Sequence, residues 1–258
     1  MHRFFVPPSW LQGDKVTMSG SIVHQIVDVL RLGPGDSIVV LDDSGWEYVI
    51  RISAAERDHV SGLVEQKALS RAEPRSKVTL YQSMLKGHNF EWVLQKGTEL
   101  GVVEFVPMVS ERCVIASLDV SQSKTERWQR IIREAAEQSH RGRLPRLQAP
   151  ALFPQACERA RNADLAILPW EDEQKRRLRS VLAESDREGP QVQGQGHFIR
   201  RPFSISVFIG PEGGFAGREI DHALRYGIMP VSLGPRILRA ESAALVATTM
   251  VLYQLGDL

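Results

Sequence analysis

The spacing of apolar residues divides the chain into two parts with different periodicity. Up to about residue 70, apolar residues occur in short runs separated by turn residues, a pattern typical of β-strands. Beyond residue 77, short apolar runs alternate with segments of helical periodicity, which indicates a parallel sheet covered by helices. We therefore predict an α/β protein with a small β-rich domain, 1–70, and a larger domain, 77–258.

The first part is predicted to contain four strands and one helix. The helix is expected over 21–32, with Ile26 and Val29 among the residues of its apolar face. Turn residues at 33–36 end this helix, and 43–45 indicate a hairpin between two strands. The predicted strands are HRFFV, SIVVLDD, WEYVIRIS and HVSGLVEQ.

The second part is predicted to follow a polar linker at 68–77. Its last helix, from about Glu241, is apolar on nearly all sides, which indicates burial in the core or in a subunit interface. The Gly- and Gln-rich segment 185–203 is interpreted as a flexible surface insertion. The predicted strands are VTLYQSML, EFVPMVS, DLAILPW, SISVFIG and MPVSLG, and the predicted helices are NFEWVLQKGTELG, 123–140, DEQKRRLRSVLAE and REIDHALRYG.

Composition and charge exclude several classes of protein. The chain is 43% hydrophobic and 24% charged, which is ordinary for a globular protein. A net charge of +1 is too balanced for nonspecific binding of polyanions, so any nucleic-acid contact must come from local patches. No stretch approaches the roughly 20 apolar residues that span a bilayer, and the N-terminus does not resemble a secretory signal. We expect a cytoplasmic protein that makes no membrane contact.

Metal and hydrolase chemistry find little support in the sequence. The seven histidines are scattered without the spacing of metal ligands. The two cysteines, Cys113 and Cys157, fit no metal or redox motif and are expected to be buried free thiols. No candidate serine lies in a GxSxG context. We therefore expect no metal centre and no serine nucleophile.

Three loops follow predicted strands in the second part, where ligands bind in open parallel sheets. One loop follows Leu168, and the second, 210–215, places three glycines between a strand and a helix. Glycine lets backbone N–H groups approach a ligand closely, although a tight turn alone would also require it. Because no Gly-Lys-Ser/Thr follows, the second loop is not a P-loop.

The third loop, 234–243, combines charge with apolar side chains. Arg236, Arg239 and Glu241 surround an apolar Ile-Leu pair at the start of the last helix. This combination indicates a cleft with an apolar pocket and polar groups. The alternative is that Glu241 caps the helix while the arginines lie in solvent.

The second and third loops resemble the cofactor-binding motifs of the SPOUT methyltransferases. VFIGPEGGF (207–215) and SLGPRILRAESA (232–243) are most similar to those of the uridine N3-methyltransferases of small-subunit ribosomal RNA. The resemblance extends along nearly the whole chain in the same order. It includes HRFFV, HQIVDVLRLGPGD, Gln82 with LKG, QKGTELGV, SERC and RWQRIIREAAEQSHRGRLP.

The resemblance implies an enzyme that uses S-adenosylmethionine to methylate N3 of a specific uridine in 16S ribosomal RNA, either as naked RNA or within the small ribosomal subunit. It implies an N-terminal PUA-like β-barrel that binds RNA and a C-terminal α/β domain with a deep trefoil knot. It also implies a homodimer whose active site is completed across the interface. No metal is required, because the sulfonium methyl group is already activated.

The resemblance also implies roles for individual residues. The expected catalytic residues are Arg239, which would stabilise the uracil anion, and Glu241, the candidate base. In the alternative, Arg239 alone favours the anionic uracil. Independently of the resemblance, the basic residues Arg3, Arg127, Arg141 and Arg143 are the expected contacts to RNA phosphates. The expected cofactor-binding residues are Leu168, Gly210, Pro211, Gly213, Gly214, Leu233, Gly234, Ile237, Leu238 and Ala243.

The chain departs from the family pattern at two places. Ala216 stands where Ser or Thr commonly caps the next helix together with Glu219, and Ala240 stands where a Thr is usual. Two other functions stay open at this point. One is an RNA-binding or assembly factor with a silent methyltransferase domain, and the other is an enzyme that methylates the ribose 2′-hydroxyl.

Overall fold

The structure, a computed structural model, describes residues 1–115, 117–185 and 203–258. It divides into two units, Met1–Glu73 with Arg133–Leu144, and Pro74–Ile132 with Pro145–Leu258. The insertion predicted at 185–203 lies outside the described residues except at its two ends.

The division into units differs from the predicted one in one respect. The segment Arg133–Leu144, which we expected in the second domain, belongs to the first unit. The Glu73 carboxylate explains this, because its Oε1 accepts hydrogen bonds from the backbone N–H groups of Gly142 and Arg143, both at 3.1 Å. The Asp43 carboxylate similarly accepts a hydrogen bond from the Leu144 N–H. These bonds join residues about 70 to 100 positions apart, which local periodicity cannot reveal.

The first unit is built on a six-stranded mixed sheet. Its strands are β1 (Arg3–Phe5), β2 (Leu11–Gln12), β3 (Lys15–Ser19), β4 (Ser37–Leu41), β5 (Trp46–Ala55) and β6 (His59–Leu69). They lie in the order β1-β4-β5-β6-β3-β2, with β1 parallel to β4 and the other neighbours antiparallel. This arrangement is a PUA-like β half-barrel, and it contains the four predicted strands.

One face of this sheet forms the core of the first unit. Along β3, for example, Val16 and Met18 are buried while the alternate residues are exposed, as the period of two in a strand requires. Burying an aliphatic side chain of this size stabilises the fold by about 1.5–3 kcal/mol. The other buried members of this core are Phe4, Val6, Val23, Ile26, Ile38, Val40, Ile50, Ile52 and Val60.

The helix predicted at 21–32 is shorter and less regular than expected. The α-helix α1 covers Ser21–His24 and continues as a π-helical turn over Gln25–Val29. In this wider turn the Leu30 N–H donates to the Gln25 oxygen, five residues back, at 2.9 Å. The wider turn shifts the helical register, so Ile26 stays buried but Val29 is 62% exposed. The prediction that Val29 lies on the apolar face was wrong.

The second unit is built on a parallel sheet, as predicted. Its strands are β7 (Lys77–Ser83), β8 (Glu104–Val109), β9 (Arg146–Leu147), β10 (Ala151–Leu152), β11 (Leu165–Pro169), β12 (Ser204–Ile209) and β13 (Met229–Val231). They lie in the order β10-β8-β7-β12-β11-β13, with β9 also paired to β8, and every pair is parallel.

Helices cover both faces of this sheet and bury two apolar clusters. Residues of α2, α3, α5 and α7 contribute to one cluster, and residues of α4 and α6 contribute to the other. The last six residues of α3, from Arg133, belong to the first unit. The helices are α2 (Asn89–Leu100), α3 (Gln122–Gln138), α4 (Phe153–Ala160), α5 (Leu178–Ser185), α6 (Gly217–Arg225) and α7 (Ala240–Leu255).

The helix predicted over 172–184 begins only at Leu178. The residues before it run alongside the chain that follows β13, where Arg177 forms a parallel bridge to Ser232. The Ser232 N–H donates to the Arg176 oxygen at 2.8 Å, and the Leu178 N–H donates to the Ser232 oxygen at 3.0 Å. This extended pairing is incompatible with helical backbone at the same residues.

The deep trefoil knot stays a prediction.

The apolar helix α7 lies in the core of the second unit. Ala244, Ala247, Val251 and Leu252 are fully buried, and α7 packs against α2 and strand β12. The prediction of a buried last helix is confirmed for this face. No helix among the described residues is long and apolar enough to cross a membrane.

Both cysteines are buried free thiols, as predicted. Burial raises the pKa of the Cys157 thiol to about 12. This thiol therefore stays protonated near neutral pH, where the thiolate rather than the thiol is the reactive form.

Candidate functional site

A cavity of about 510 Å³ opens beyond the carboxyl ends of β11, β12 and β13. Ligands of open α/β sheets bind at this edge, because the loops that follow the strands converge there. The lining residues are Asn89, Pro169, Trp170, Glu171, Ile209, Gly210, Pro211, Glu212, Gly213, Gly214, Phe215, Ser232, Leu233, Gly234, Pro235, Arg236, Ile237, Leu238, Arg239, Ala240, Glu241 and Ala243.

The loop 210–215, called the glycine loop below, forms one wall of the cavity. Gly214 has a φ of +68°, a backbone conformation that residues with a side chain rarely adopt. A Cβ atom at Gly214 would also lie 2.2 Å from Oε1 of Glu171. The positive φ therefore favours glycine at this position, and a Cβ atom there would displace the Glu171 carboxylate.

Hydrogen bonds to two neighbouring loops hold the glycine loop in place. The Arg112 guanidinium, in the loop after β8, donates from Nη1 to the Gly213 oxygen at 3.0 Å. The Glu212 carboxylate accepts a hydrogen bond from the Lys86 N–H, in the loop after β7, at 2.9 Å. Pro211 and Phe215 of the glycine loop are themselves buried. The glycine loop is thus a well-anchored wall.

The buried Glu219 replaces part of the helix cap that Ala216 lacks. Alanine has no side-chain oxygen to accept from the first turn of α6, so only the reciprocal half of a capping box forms. In that half, Oε2 of Glu219 accepts from the Ala216 N–H at 2.9 Å. Oε1 of Glu219 accepts from the Glu111 N–H at 2.9 Å, which ties α6 to the loop after β8.

Residues 232–239, called the arginine loop below, form another wall of the cavity. Unlike the glycine loop, this wall is largely exposed and has few side-chain anchors. Residues 234–237 are all exposed, and Ile237 is 88% exposed. Gly234 has a φ of +125° and open space around it. The hydrogen bonds of the Ser232 hydroxyl to Gly234, at 3.3 and 3.4 Å, are local. Apolar and cationic groups therefore face the cavity from a loop with few side-chain anchors.

The two predicted catalytic residues lie where the arginine loop enters α7. Arg239 is the N-cap residue of α7, and its backbone oxygen accepts from the Ala243 N–H at 2.8 Å. Glu241 lies in the first turn, but no side chain makes a capping hydrogen bond there. Arg239 and Glu241 both line the cavity, and neither forms a salt bridge with another described residue. Both charged groups are thus available to a ligand.

The structure places nine of the ten predicted cofactor-binding residues on the lining of this cavity. The exception is Leu168, which is fully buried in the core and does not line it. The next two residues, Pro169 and Trp170, take its place in the lining, because only the residues after the last buried strand position emerge at the sheet edge. The Trp170 Nε1 is buried and has no hydrogen-bond partner among the described residues.

Several lining residues were not predicted. Trp170 is the last residue of a predicted strand and Glu171 directly follows it, so their position was a signal that could have identified them. Asn89 carried no such signal. It lies 121 positions before the glycine loop, and it reaches the cavity because β7 pairs directly with β12.

The predicted RNA-binding arginines divide into buried and exposed ones. The Arg141 side chain is only 2% exposed, and its Nη2 lies 2.9 Å from Oε2 of Glu73. The Arg3 side chain is 9% exposed, and its Nη2 lies 2.6 Å from Oε1 of Glu47. Phosphate contacts by these two arginines are not supported, because each guanidinium is enclosed and paired inside the first unit.

Arg127 and Arg143 remain accessible in their respective units. Arg127 is about half exposed, although Nη2 lies 2.7 Å from Oε2 of Glu91. Arg143 is exposed and donates from Nη2 to the Ser44 oxygen at 2.6 Å. Both side chains keep further N–H donors that could reach a phosphate.

One group of potential metal ligands occurs among the described residues. Glu56, Asp58 and His59 lie at the exposed turn between β5 and β6, with ligand atoms within 4.8 Å of one another. The His59 Nδ1 lies 3.0 Å from Oδ1 of Asp58. These groups satisfy one another locally, and none of them lines the cavity.

Comparison with known proteins places this architecture among RNA methyltransferases. A family model described as an RNA methyltransferase domain matches residues 72–252. Ribosomal RNA small subunit methyltransferase E of Bacillus subtilis is 32% identical over 258 residues, covering 98% of this chain and 97% of the relative. The similarity therefore extends through both units.

Two solved structures are similar over nearly the whole chain. One is a ribosomal RNA small subunit methyltransferase E from Neisseria gonorrhoeae bound to S-adenosylmethionine, with a TM-score of 0.81, 26% identity and coverage of 98% and 97% of the two chains. The other is a putative methyltransferase from Legionella pneumophila in complex with the same cofactor, with a TM-score of 0.80, 27% identity and coverage of 97% and 96%.

Proposed function

Because this chain belongs to the ribosomal RNA small subunit methyltransferase E family, we propose that it transfers a methyl group from S-adenosylmethionine to N3 of a uridine in 16S ribosomal RNA. The observation that supports this most directly is the cavity at the carboxyl edge of the parallel sheet. It brings together the glycine loop, an apolar wall and the free charges of Arg239 and Glu241.

The cavity suits S-adenosylmethionine in size and chemistry. Its volume of about 510 Å³ falls within the range of small-molecule sites, roughly 300–1,000 Å³. The close-packed glycine loop exposes backbone to the ligand, while Leu233, Ile237 and Leu238 offer apolar contacts. When bound, S-adenosylmethionine supplies a methyl group already activated on a sulfonium sulfur. The nine predicted residues that line the cavity are proposed to hold it.

Glu241 and Arg239 are proposed to prepare the uracil for attack. Uracil N3 carries a proton at neutral pH, and we propose that the Glu241 carboxylate, which lines the cavity, accepts it. A positioned base contributes about 10²–10⁴-fold to the rate. The Arg239 guanidinium would stabilise the resulting negative charge on the uracil oxygens. Holding the two reacting groups in line contributes about 7–11 kcal/mol more.

The RNA must present an unpaired or flipped uridine, because N3 lies on the Watson–Crick edge of the base. We propose that the PUA-like unit contributes to RNA binding. It carries ten Lys and Arg against twelve Asp and Glu, so contacts to phosphate must come from individual side chains such as Arg143. Arg127 is the corresponding candidate in the second unit. Since the substrate is ribosomal, we place the enzyme in the cytoplasm.

A homodimer is proposed on the basis of α7. Most apolar side chains of this helix are buried or partly buried, but those of Val246 and Tyr253 are exposed, at 36% and 72%. These two residues are seven positions apart and therefore lie on one face of the helix. An exposed apolar face on a core helix supports an interface with a second copy.

The test is to incubate the protein with S-adenosylmethionine and small ribosomal subunits that lack the modification. The RNA is then digested and its nucleosides are separated by mass spectrometry, with a reaction lacking the cofactor as control. We expect 3-methyluridine. A 2′-O-methylated nucleoside instead would reject the uracil N3 assignment. If the protein binds the cofactor but methylates neither small subunits nor naked 16S RNA, the silent RNA-binding function would be favoured.

A further inference from the structure

Glu171 is a cavity-lining carboxylate to which the proposed mechanism gives no role. Strand β11 ends at Pro169, and Glu171 is the second residue after it. Glu171 lines the cavity beside Gly213 and Gly214. The residue is exposed toward the cavity and solvent rather than buried in the core. Its position beside the glycine loop suggests a contact with the ligand of that loop.

The carboxylate of Glu171 is pressed against the backbone of Gly214. A Cβ atom built on Gly214 would lie 2.2 Å from Oε1 and 3.1 Å from Oε2. Oε1 therefore occupies the space that a Cβ atom at position 214 would take, and Oε2 lies in tight contact with that space. Glycine at this position makes room for the acid as well as for the turn.

No described residue uses this carboxylate. Glu171 forms no salt bridge and accepts no hydrogen bond from any described side chain or N–H group. Glu212 on the same wall differs in this respect, because its carboxylate accepts a hydrogen bond from the Lys86 N–H. An ionised carboxylate offers acceptors only, so the complementary ligand group must be a donor.

We propose that Glu171 is a cofactor-binding residue whose carboxylate accepts a hydrogen bond from a donor group of S-adenosylmethionine. This inference rests on the proposed function. The donors of the cofactor are of two kinds, the hydroxyl and amino groups of the nucleoside part and the ammonium group of the amino acid part. Bonds from either kind to a carboxylate are charge-assisted and therefore stronger than neutral ones.

The test compares three proteins by isothermal titration with S-adenosylhomocysteine, which carries both kinds of donor. They are the unaltered chain, Glu171→Gln and Asp172→Asn. Glu171→Gln keeps the shape of the side chain but removes its charge. Asp172→Asn removes the same charge from the adjacent residue, which does not line the cavity. We expect roughly ten- to a hundred-fold weaker binding for Glu171→Gln and no change for Asp172→Asn.

A second titration with 5′-methylthioadenosine, which lacks the amino acid part, identifies the donor. If Glu171→Gln weakens binding of both ligands, the contact is to the nucleoside part. If only S-adenosylhomocysteine binding weakens, the contact is to the ammonium group. Equal affinity of Glu171→Gln and the unaltered chain for both ligands would overturn the inference, provided that thermal unfolding shows both proteins folded.

The same titrations separate this inference from the proposed function. An unaltered chain that binds neither S-adenosylmethionine nor S-adenosylhomocysteine contradicts the methyltransferase function, and the role of Glu171 is rejected with it. An unaltered chain that binds both, with Glu171→Gln binding equally well, rejects only the role of Glu171.

Discussion

The two loops that line the cavity differ in how they are held. The glycine loop is fixed by Arg112 and Glu212, and two of its residues are buried. The arginine loop has four consecutive exposed residues, and its side-chain hydrogen bonds are local. One wall of the site is therefore built before any ligand arrives, whereas the other is anchored at its first residue, Ser232, and lacks such side-chain anchors beyond it.

This difference indicates that roles in the proposed reaction are divided between the two loops. A preorganised wall binds a ligand without a further loss of conformational entropy, which suits the cofactor. A loosely held loop must be ordered by what it binds, at a cost of about 1–2 kcal/mol per residue fixed. The arginine loop carries Arg236 and Arg239, so RNA and cofactor together would provide the contacts that order it. Four substitutions test this division.

The largest effect is expected for Arg239→Ala at the end of the arginine loop. Loss of a group that stabilises charge in the transition state lowers kcat by about 10²–10³-fold. The affinity for S-adenosylhomocysteine should stay within about twofold. The measurement is single-turnover methylation of small subunits, with Arg236→Ala as a matched control on the same loop. Unchanged turnover in Arg239→Ala would reject its catalytic role.

Among alanine substitutions of the glycines in the glycine loop, Gly214→Ala should disturb the loop most. A residue with a side chain at this positive φ costs about 1–2 kcal/mol, and its Cβ would displace the Glu171 carboxylate. We expect S-adenosylhomocysteine to bind at least ten-fold more weakly in isothermal titration. Gly217→Ala is the control, because a Cβ there meets nothing within 4 Å. Equal affinities of the two variants would show that the glycine loop is not part of the binding site.

Glu219→Ala removes the anchor behind the glycine loop. The N–H groups of Ala216 and Glu111 lose their acceptor, and a buried unsatisfied donor costs about 1–3 kcal/mol. We expect a loss of stability of that size in urea unfolding, with weaker cofactor binding as a consequence. Glu219→Gln keeps one acceptor oxygen and should recover part of the stability. A Glu219→Ala protein as stable as the unaltered chain would show that these bonds do not anchor the loop.

Ile237→Ser should have the smallest effect, and on binding only. The side chain is 88% exposed, so the free energy of unfolding should change by less than about 0.5 kcal/mol. If Ile237 packs on the cofactor, S-adenosylhomocysteine affinity should fall several-fold. Substituting the exposed Val29 by Ser provides a control for an apolar surface residue in the first unit. A marked loss of stability in Ile237→Ser would contradict the description of the arginine loop as loosely held.

Much of the local structure of this protein follows from its sequence alone. The period of two in the strands, the turn residues of the hairpin at 43–45 and the apolar surface of α7 are local properties. Each predicted an element that the structure contains. The position of the site follows in the same way, because loops after parallel strands meet at one edge and two of these loops carry the family motifs. Nine of the ten residues that the family resemblance assigned to cofactor binding line the cavity.

Contacts between distant segments could be decided only by the tertiary structure. Strand order brings Asn89 to the cavity, Glu73 encloses Arg141, and pairing with Ser232 delays the start of α5 to Leu178. Glu171 meets Gly214 for the same reason, although 43 positions separate them in the chain. Periodicity reports which face of an element is buried, but the partner of that face depends on how the whole chain packs.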